Sequence, residues 1–171
     1  MAEPITLRVD GQLYSGWQKV RITRSLRDIA GDFELRLTRK WDDAKAMAIK
    51  PLSACTVSIG SDLVLTGYID DFIPSYDARE VEWVVSGRSK TSDLVDCSAI
   101  YKSGQWQSVA LDQVARDICA PFKIEVVVEC DLGDAFPRVT IEQGESCFEL
   151  LDRLAKQRGI LLTTNERASW C

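Results

Sequence analysis

Alternation of apolar and polar residues dominates the first ninety positions. Ile5, Leu7 and Val9 alternate with polar neighbours, Asp10-Gly11 has the composition of a two-residue hairpin turn, and Leu13-Tyr14 resumes the apolar character. This predicts a first hairpin. The run from Trp17 alternates again through Val20 and Ile22, and after a break at LRDIAGD the segment FELRLTR puts Phe33, Leu35 and Leu37 on one face. A second hairpin is predicted where Gly60-Ser61-Asp62 separates Val57 and Ile59 from Leu63 and Leu65, and EVEWVVSG adds a strand with Val81, Trp83 and Val85 in register. About seven strands within about ninety residues, joined by short turns, predict a closed or nearly closed antiparallel barrel or a sandwich, because closure removes free edges. The segment KWDDAKAMAIKP, residues 40–51, breaks the pattern, and its Ala, Lys and Met content predicts a short helix or long loop ended by Pro51.

After Gly87 the period changes. SKTSDLVDC suggests a helical turn, and Leu111, Val114, Ala115 and Ile118 follow helical spacing, which predicts a helix over about 108–120 terminated by Pro121. IEVVVE, residues 124–129, reads as a strand, as do Val139 to Ile141 and Ile160 to Thr164. Ser146 and Glu149 have the spacing of a capping box, opening a helix over about 146–158 that Gly159 ends. The expected organisation is β-rich α+β: an antiparallel β-barrel over 1–90, then a small α+β domain over 91–171.

Composition narrows the function classes. The 171 residues are 46% hydrophobic and 27% charged, as in an ordinary globular chain, and no basic cluster followed by an apolar run opens the sequence. No uninterrupted apolar stretch approaches the roughly 18 residues of a membrane helix, so a soluble product made in the cytoplasm is expected, without stable membrane insertion. The net charge is −5 with scattered basic residues, which argues against sequence-specific nucleic-acid binding; the nearest approach to a basic patch, Arg36, Arg39 and Lys40, fits an exposed strand end.

Six cysteines invite a zinc or disulfide reading that the sequence resists. They stand at 55, 97, 119, 130, 147 and 171 with no Cys-x-x-Cys pair, and the chain has no histidine. Cys55, Cys119 and Cys147 fall within strand or helix patterns and read as small buried apolar residues. Without histidine, Ser-His-Asp and Cys-His catalysis are impossible. Asp70 and Asp71 are adjacent on a predicted strand, so they point to opposite faces unless a bulge intervenes, and a strand-end role is expected. Glu145, Glu149 and Asp152 surround a helix N-terminus, where acidic residues complement the dipole. Gly87 to Thr91 faintly suggests a phosphate loop but lacks its Gly-Lys-Ser/Thr ending. No catalytic, cofactor-binding or metal-ligating residues are therefore assigned, no cofactor is expected, and a non-enzymatic module is the reading.

Particular strings add a resemblance. Gly16-Trp17, Arg24-Ser25, Gly31 with Phe33-Glu34-Leu35, Thr66 to Asp70, Gly87-Arg88, Lys90-Thr91, Asp93-Leu94, Asp96-Cys97, Gly104 to Trp106, Ala115 to Asp117, Cys119 to Pro121 and the Glu145 to Gly159 helix occur in that order. Together they resemble the N-terminal portion of the baseplate hub proteins of Mu-like contractile-tailed bacteriophages, the phage tail protein P or late control D-like family. Ala110 departs from the pattern where a capping Thr is expected, with Ser108 as a substitute.

The resemblance implies a virion protein of the tail baseplate, assembled in the host bacterial cytoplasm. Its partners would be the tail tube protein, the central spike and other baseplate proteins. Family members of about twice this length are expected to form homotrimers in which each subunit presents two barrels, matching the sixfold tube to the threefold spike. An acidic lumen in such a ring would repel DNA phosphates and let the genome pass. Thr163-Thr164-Asn165 resembles the start of a hairpin with no return strand in Arg167 to Cys171, so a truncated, frameshifted or naturally short product is expected. Competing readings are a hub or spike component of a type VI secretion system or an R-type bacteriocin, a cell-wall hydrolase accessory, and a free-standing adaptor.

Overall fold

The computed structural model describes residues 3–26, 28–40, 49–76 and 80–166. The helix or loop expected over 40–51 lies largely outside the described residues. The chain divides into two compact units, the first made of Met1–Arg24 and Gly31–Lys90, the second of Ser25–Ala30 and Thr91–Cys171.

The first unit is one antiparallel seven-stranded sheet. Its strands are β1 (Ile5–Val9), β2 (Gln12–Ser15), β3 (Lys19–Thr23), β4 (Asp32–Lys40), β5 (Ala54–Ile59), β6 (Asp62–Tyr76) and β7 (Glu80–Ser89), in the order β2-β1-β5-β6-β7-β4-β3. The first turn follows its sequence chemistry: Asp10 and Gly11 both adopt positive φ (48° and 81°), the backbone of a type I′ hairpin whose twist matches the flanking strands. Along β4, Phe33, Leu35 and Leu37 are buried as period two requires, and β7 alternates between buried and half-buried along most of its length.

The expected closed barrel is not formed, since β2 and β3 are the two edges and no ladder joins them. The sheet is nevertheless strongly curled. Six inter-strand steps of about 4.8 Å would separate the edges of a flat sheet by about 29 Å. Only Gly16, Trp17 and Gln18 connect the edge strands, and four Cα steps span at most about 15 Å. One buried cluster runs from Leu7 and Val9 of β1 through residues of β5, β6 and β7 to Phe33 and Leu35 of β4, so a single core serves these five strands. Both edges are short: β2 has four residues and β3 five, and β3 presents exposed Lys19 and Arg21.

Strand β6 outlasts its neighbour. Its ladder with β5 ends at Tyr68, whereas that with β7 runs to Tyr76, so β6, β7 and β4 continue as a three-stranded extension. Leu37, Val81 and Trp83 form a small separate core there, with Trp17 and Phe72 packed against it. At the base of the extension the register shifts between Ile69 and Asp71, which makes Asp70 a bulge residue. The acidic pair thus sits in mid-strand, correcting the strand-end expectation.

The second unit contains α1 (Ser92–Asp96), β8 (Gln105–Val109), α2 (Leu111–Cys119), β9 (Phe136–Thr140) and α3 (Cys147–Arg158), with β8 and β9 paired antiparallel. Ile29 belongs to this core, and its carbonyl accepts from Thr91 Oγ1 at 2.8 Å. The capping box is present in full: Glu149 N donates to Ser146 Oγ (3.2 Å) and Ser146 N donates to Glu149 Oε2 (2.8 Å). Gly159 ends α3 at φ 66°, as its position predicts. Replacing Ser146 with alanine is expected to cost about 1 kcal/mol, measurable as a lower urea midpoint with unchanged slope.

Several local expectations differ. Helix α2 starts at Leu111 rather than 108, because Trp106 lies in β8, a strand the sequence reading missed, and Ser108 sits at φ 47°. Ala110 is the N-cap and has no side-chain cap, so Ser108 does not take that role. Among the described residues, 124–129 and 160–164 form no strand, and each shows a single bridge position, at Val126 and Thr164. Their alternation is real, with Ile124, Val126 and Leu162 buried. Extended backbone packed on a core produces that period. The strand expected over 139–141 is β9, displaced toward Phe136.

Candidate functional site

Of the titratable groups singled out from the sequence, all but Asp71 have a structural partner. Asp70 pairs with Arg88 across the β6–β7 ladder at 3.0 Å, while Asp71, past the bulge, is exposed. Glu145 accepts from Arg153 Nε at 2.7 Å and Nη2 at 3.0 Å, and from the Glu142 amide at 3.0 Å. Glu149 belongs to the capping box and Asp152 pairs with Lys156 along α3. Gly87, Arg88 and Ser89 lie inside β7, so the segment that faintly suggested a phosphate loop is strand. Of the basic residues considered as a patch, Arg36 pairs with Glu34 at 2.8 Å, and 39 and 40 end β4. Among the described residues no three His, Cys, Asp or Glu side chains are grouped to hold a metal ion.

The cysteines behave as the pattern predicts. Cys55, Cys119 and Cys147 are buried free thiols, and Cys97 and Cys130 are exposed free thiols. Burial pushes the Cys55 and Cys119 thiols up to about 12 and that of Cys147 to about 11, which suppresses the reactive thiolate. Under native conditions at pH 8, iodoacetamide is expected to modify Cys97 and Cys130 within minutes and to spare the three buried thiols, as mass spectrometry of the digested protein would show. Rapid native labelling of Cys119 would contradict this packing.

What the first unit offers is strand edge. Among the described residues, β2 and β3 each present one unladdered side, and β6 beyond Ile69 has a strand neighbour only in β7. Leu13 on β2 is 59% exposed and Ile73 on the β6 extension 54% exposed, so apolar side chains accompany the open backbone. Pro74 removes one N–H from that outer edge, a feature that limits indiscriminate pairing. In the linker, Trp17 Nε1 is buried with no acceptor among the described residues. Geometry of this kind suits main-chain pairing and apolar contact with other protein surfaces. No signal for the β6 extension existed in the sequence beyond the unusual length of its apolar alternation.

Two family descriptions match the chain in succession. Residues 4–89 match the N-terminal region of Mu phage baseplate assembly protein GpP-like proteins, and residues 91–168 match the second domain of baseplate hub protein gp44-like proteins. The chain is 41% identical to the baseplate hub protein gp44 of Escherichia phage Mu, with 96% of the chain aligned to 44% of that protein. Among solved structures, the 43 kDa tail protein of prophage MuSo2 from Shewanella oneidensis superposes with a TM-score of 0.94 at 48% identity, over 99% of this chain and 55% of that one. A component of the Escherichia coli type VI secretion system shares the fold alone, with a TM-score of 0.60 at 16% identity, over 96% of this chain and 47% of that one. The chain thus spans about half the length of the relatives it matches.

Proposed function

We propose that this chain, which belongs to the Mu-like phage baseplate hub family, acts as a structural part of the central hub that joins a tail tube to its spike. The observation that carries this reading is the coincidence of two boundaries. The family matches change over between residues 89 and 91, and the compact units divide between Lys90 and Thr91. Apart from Ser25–Ala30, which belongs to the second unit, each family region coincides with one compact unit. Three hub subunits would form the ring, with the curled sheet of the first unit facing the tube through its open strand edges. Its site of action is then the tail baseplate of the particle, and its partners are the tube, the spike and neighbouring baseplate proteins.

The role is one of holding, which strand pairing and apolar contact supply without chemistry. Deleting the gene from its phage or prophage is expected to abolish contractile tails and infectivity, with both restored by the gene in trans. Electron micrographs of lysates provide the count. Intact, infectious tails from the deletion strain would overturn the proposal. Clearing of peptidoglycan by the purified chain in a zymogram would favour the hydrolase reading instead.

A further inference from the structure

Main-chain bonding sets two of the cysteines opposite one another in the second unit. The Cys147 amide donates to the Cys97 carbonyl (2.9 Å) and the Ala99 amide to the Glu145 carbonyl (2.9 Å), which makes Ser98 and Ser146 an isolated antiparallel bridge. One position from that bridge, Cys97 faces Cys147 across about 5.5 Å between Cα atoms, inside the span a disulfide requires. Opposed residues of an antiparallel pair project to the same side. The Cys147 thiol lies along the facing backbone, its Sγ donating to the Ser98 carbonyl at 3.5 Å. Cys97 caps the end of α1 in extended conformation, and Cys147 is the first residue of α3, so no continuous sheet fixes either side chain. Their access differs: Cys97 is exposed, whereas Cys147 is buried. Burial first, and then the nearby Cys97 sulfur, push the Cys147 thiol up to about 11.

We propose that Cys97 and Cys147 are a redox pair, a dithiol when the chain is made and a disulfide once it meets a small-molecule disulfide as oxidant. The Cys97 thiolate attacks one sulfur of the oxidant, whose S–S bond breaks; a mixed disulfide forms and one thiolate leaves. Cys147, having lost its proton to water, then attacks the Cys97 sulfur, so that the protein disulfide forms, the mixed one breaks and a second thiolate leaves. The chain gives up two protons and two electrons, and the oxidant becomes two thiols. Access sets the order, because an exposed thiol meets the oxidant first. The small thiolate fraction of Cys147 slows the second step, and its fixed position opposite Cys97 offsets that loss. Cys147 also acts electrostatically on Cys119, but Cys119 is fully buried, out of reach of a dissolved oxidant. The bond joins the end of α1 to the start of α3 and closes a loop that holds β8, α2 and β9, which restricts the unfolded second unit. Only the place where the oxidant is met rests on the hub reading: a baseplate protein is assembled in a reducing cytoplasm and leaves it with the particle.

The test uses the 171-residue chain, reduced, freed of reductant and then exposed in its folded state to oxidised glutathione. Peptide mapping without reduction is expected to recover a cross-linked peptide that joins Cys97 to Cys147. Scanning calorimetry is expected to show the second unit melting about 5 °C or more higher, and dithiothreitol should reverse both changes. Cys97→Ser should melt like the reduced parent, since the residue is exposed, and should lose the rise, whereas Cys130→Ser should keep it. Three results would overturn the proposal: Cys97 stays reduced or carries glutathione without passing the bond to Cys147, the bridge joins Cys147 to Cys119 or Cys97 to another cysteine, or the Cys97 to Cys147 bridge leaves the melting temperature unchanged or lower, which would mean that it does not fit the native backbone. None of these bears on the tail phenotype of a gene deletion, so this inference and the proposed hub role fail separately.

Discussion

Gly67→Ala is expected to destabilise the first unit by about 3 kcal/mol or more, enough to lower its melting temperature by roughly 10–20 °C. Gly67 lies in β6 between Cys55 of β5 and Ser89 of β7. A Cβ there would stand 1.9 Å from the Arg88 carbonyl oxygen and 2.8 Å from Ser89 Cα. These are backbone atoms, so no rotamer change relieves the overlap and the two strands must separate. Separation would strain a junction held by Ser89 N to the Gly31 carbonyl (2.8 Å), Gly31 N to Ser89 Oγ (2.9 Å) and Lys90 N to the Thr66 carbonyl (3.0 Å). Nearby Gly87 is similarly confined, its added Cβ falling 2.3 Å from the Tyr68 carbonyl oxygen and 2.6 Å from the Phe33 ring. Differential scanning calorimetry measures the effect, and a Gly67→Ala protein melting within about 2 °C of the parent would show that the strands do not approach this closely.

Arg153→Ala is expected to cost the second unit about 2–3 kcal/mol at neutral pH. The Glu145 side chain is only 7% exposed, and removing Arg153 leaves its carboxylate with the Glu142 amide as its remaining partner. The cost stays at the lower end of the range for a buried pair because Arg153 itself is about one-third exposed. Burial works against ionisation of Glu145, but the hydrogen bonds from Arg153 and the Glu142 amide, with the Arg153 charge, outweigh it and hold the carboxyl below the ordinary 4.5. A depressed acid contributes stability that is present above its unfolded value and lost as the pH falls through its folded value. The parent should therefore weaken on acidification below about pH 4.5. In Arg153→Ala only burial and one amide remain, so the gap between variant and parent is widest at neutral pH and narrows toward pH 4 and below. Urea unfolding across that range tests the sign, and a gap that widened with acid would contradict the assignment.

Both effects concern contacts that pattern reading could not have foreseen. The seven strands of the first unit were legible because one face of each is apolar at period two, and Asp10-Gly11 declared its turn. Strand order was not legible, since pairing β4 with β7 and leaving β2 and β3 at the edges depends on long-range register. The Asp70 bulge was invisible for the same reason: one extra residue inverts the facing of everything beyond it. In the second unit the Ser146 capping box and Gly159 stop are local signals and were read directly. Trp106 was not placed in a strand, because its burial arises from stacking on Tyr101 at 4.1 Å and a hydrogen bond to Asp117 at 2.9 Å, both tertiary. The excursion of Ser25–Ala30 into the second unit rests on buried Ile29, in a segment too short to show a periodicity.

The candidate surface was legible only in outline. Absence of histidine removed most catalytic arrangements from the sequence alone, and the ordered strings pointed to a hub. Which edges stay open follows from where the ladders stop, and that is a property of the assembled sheet.

The proposed hub role makes the curled sheet of the first unit a ring-forming element at the end of a tail tube. Electron cryomicroscopy of tails purified from the phage or prophage that encodes this chain tests it most directly. Density for the first unit is expected in the ring that abuts the last layer of the tube, with the β2, β3 or outer β6 edges within hydrogen-bonding distance of a neighbour. Density for this sheet located away from the tube axis, or a ring at the tube end built from another protein, would contradict it.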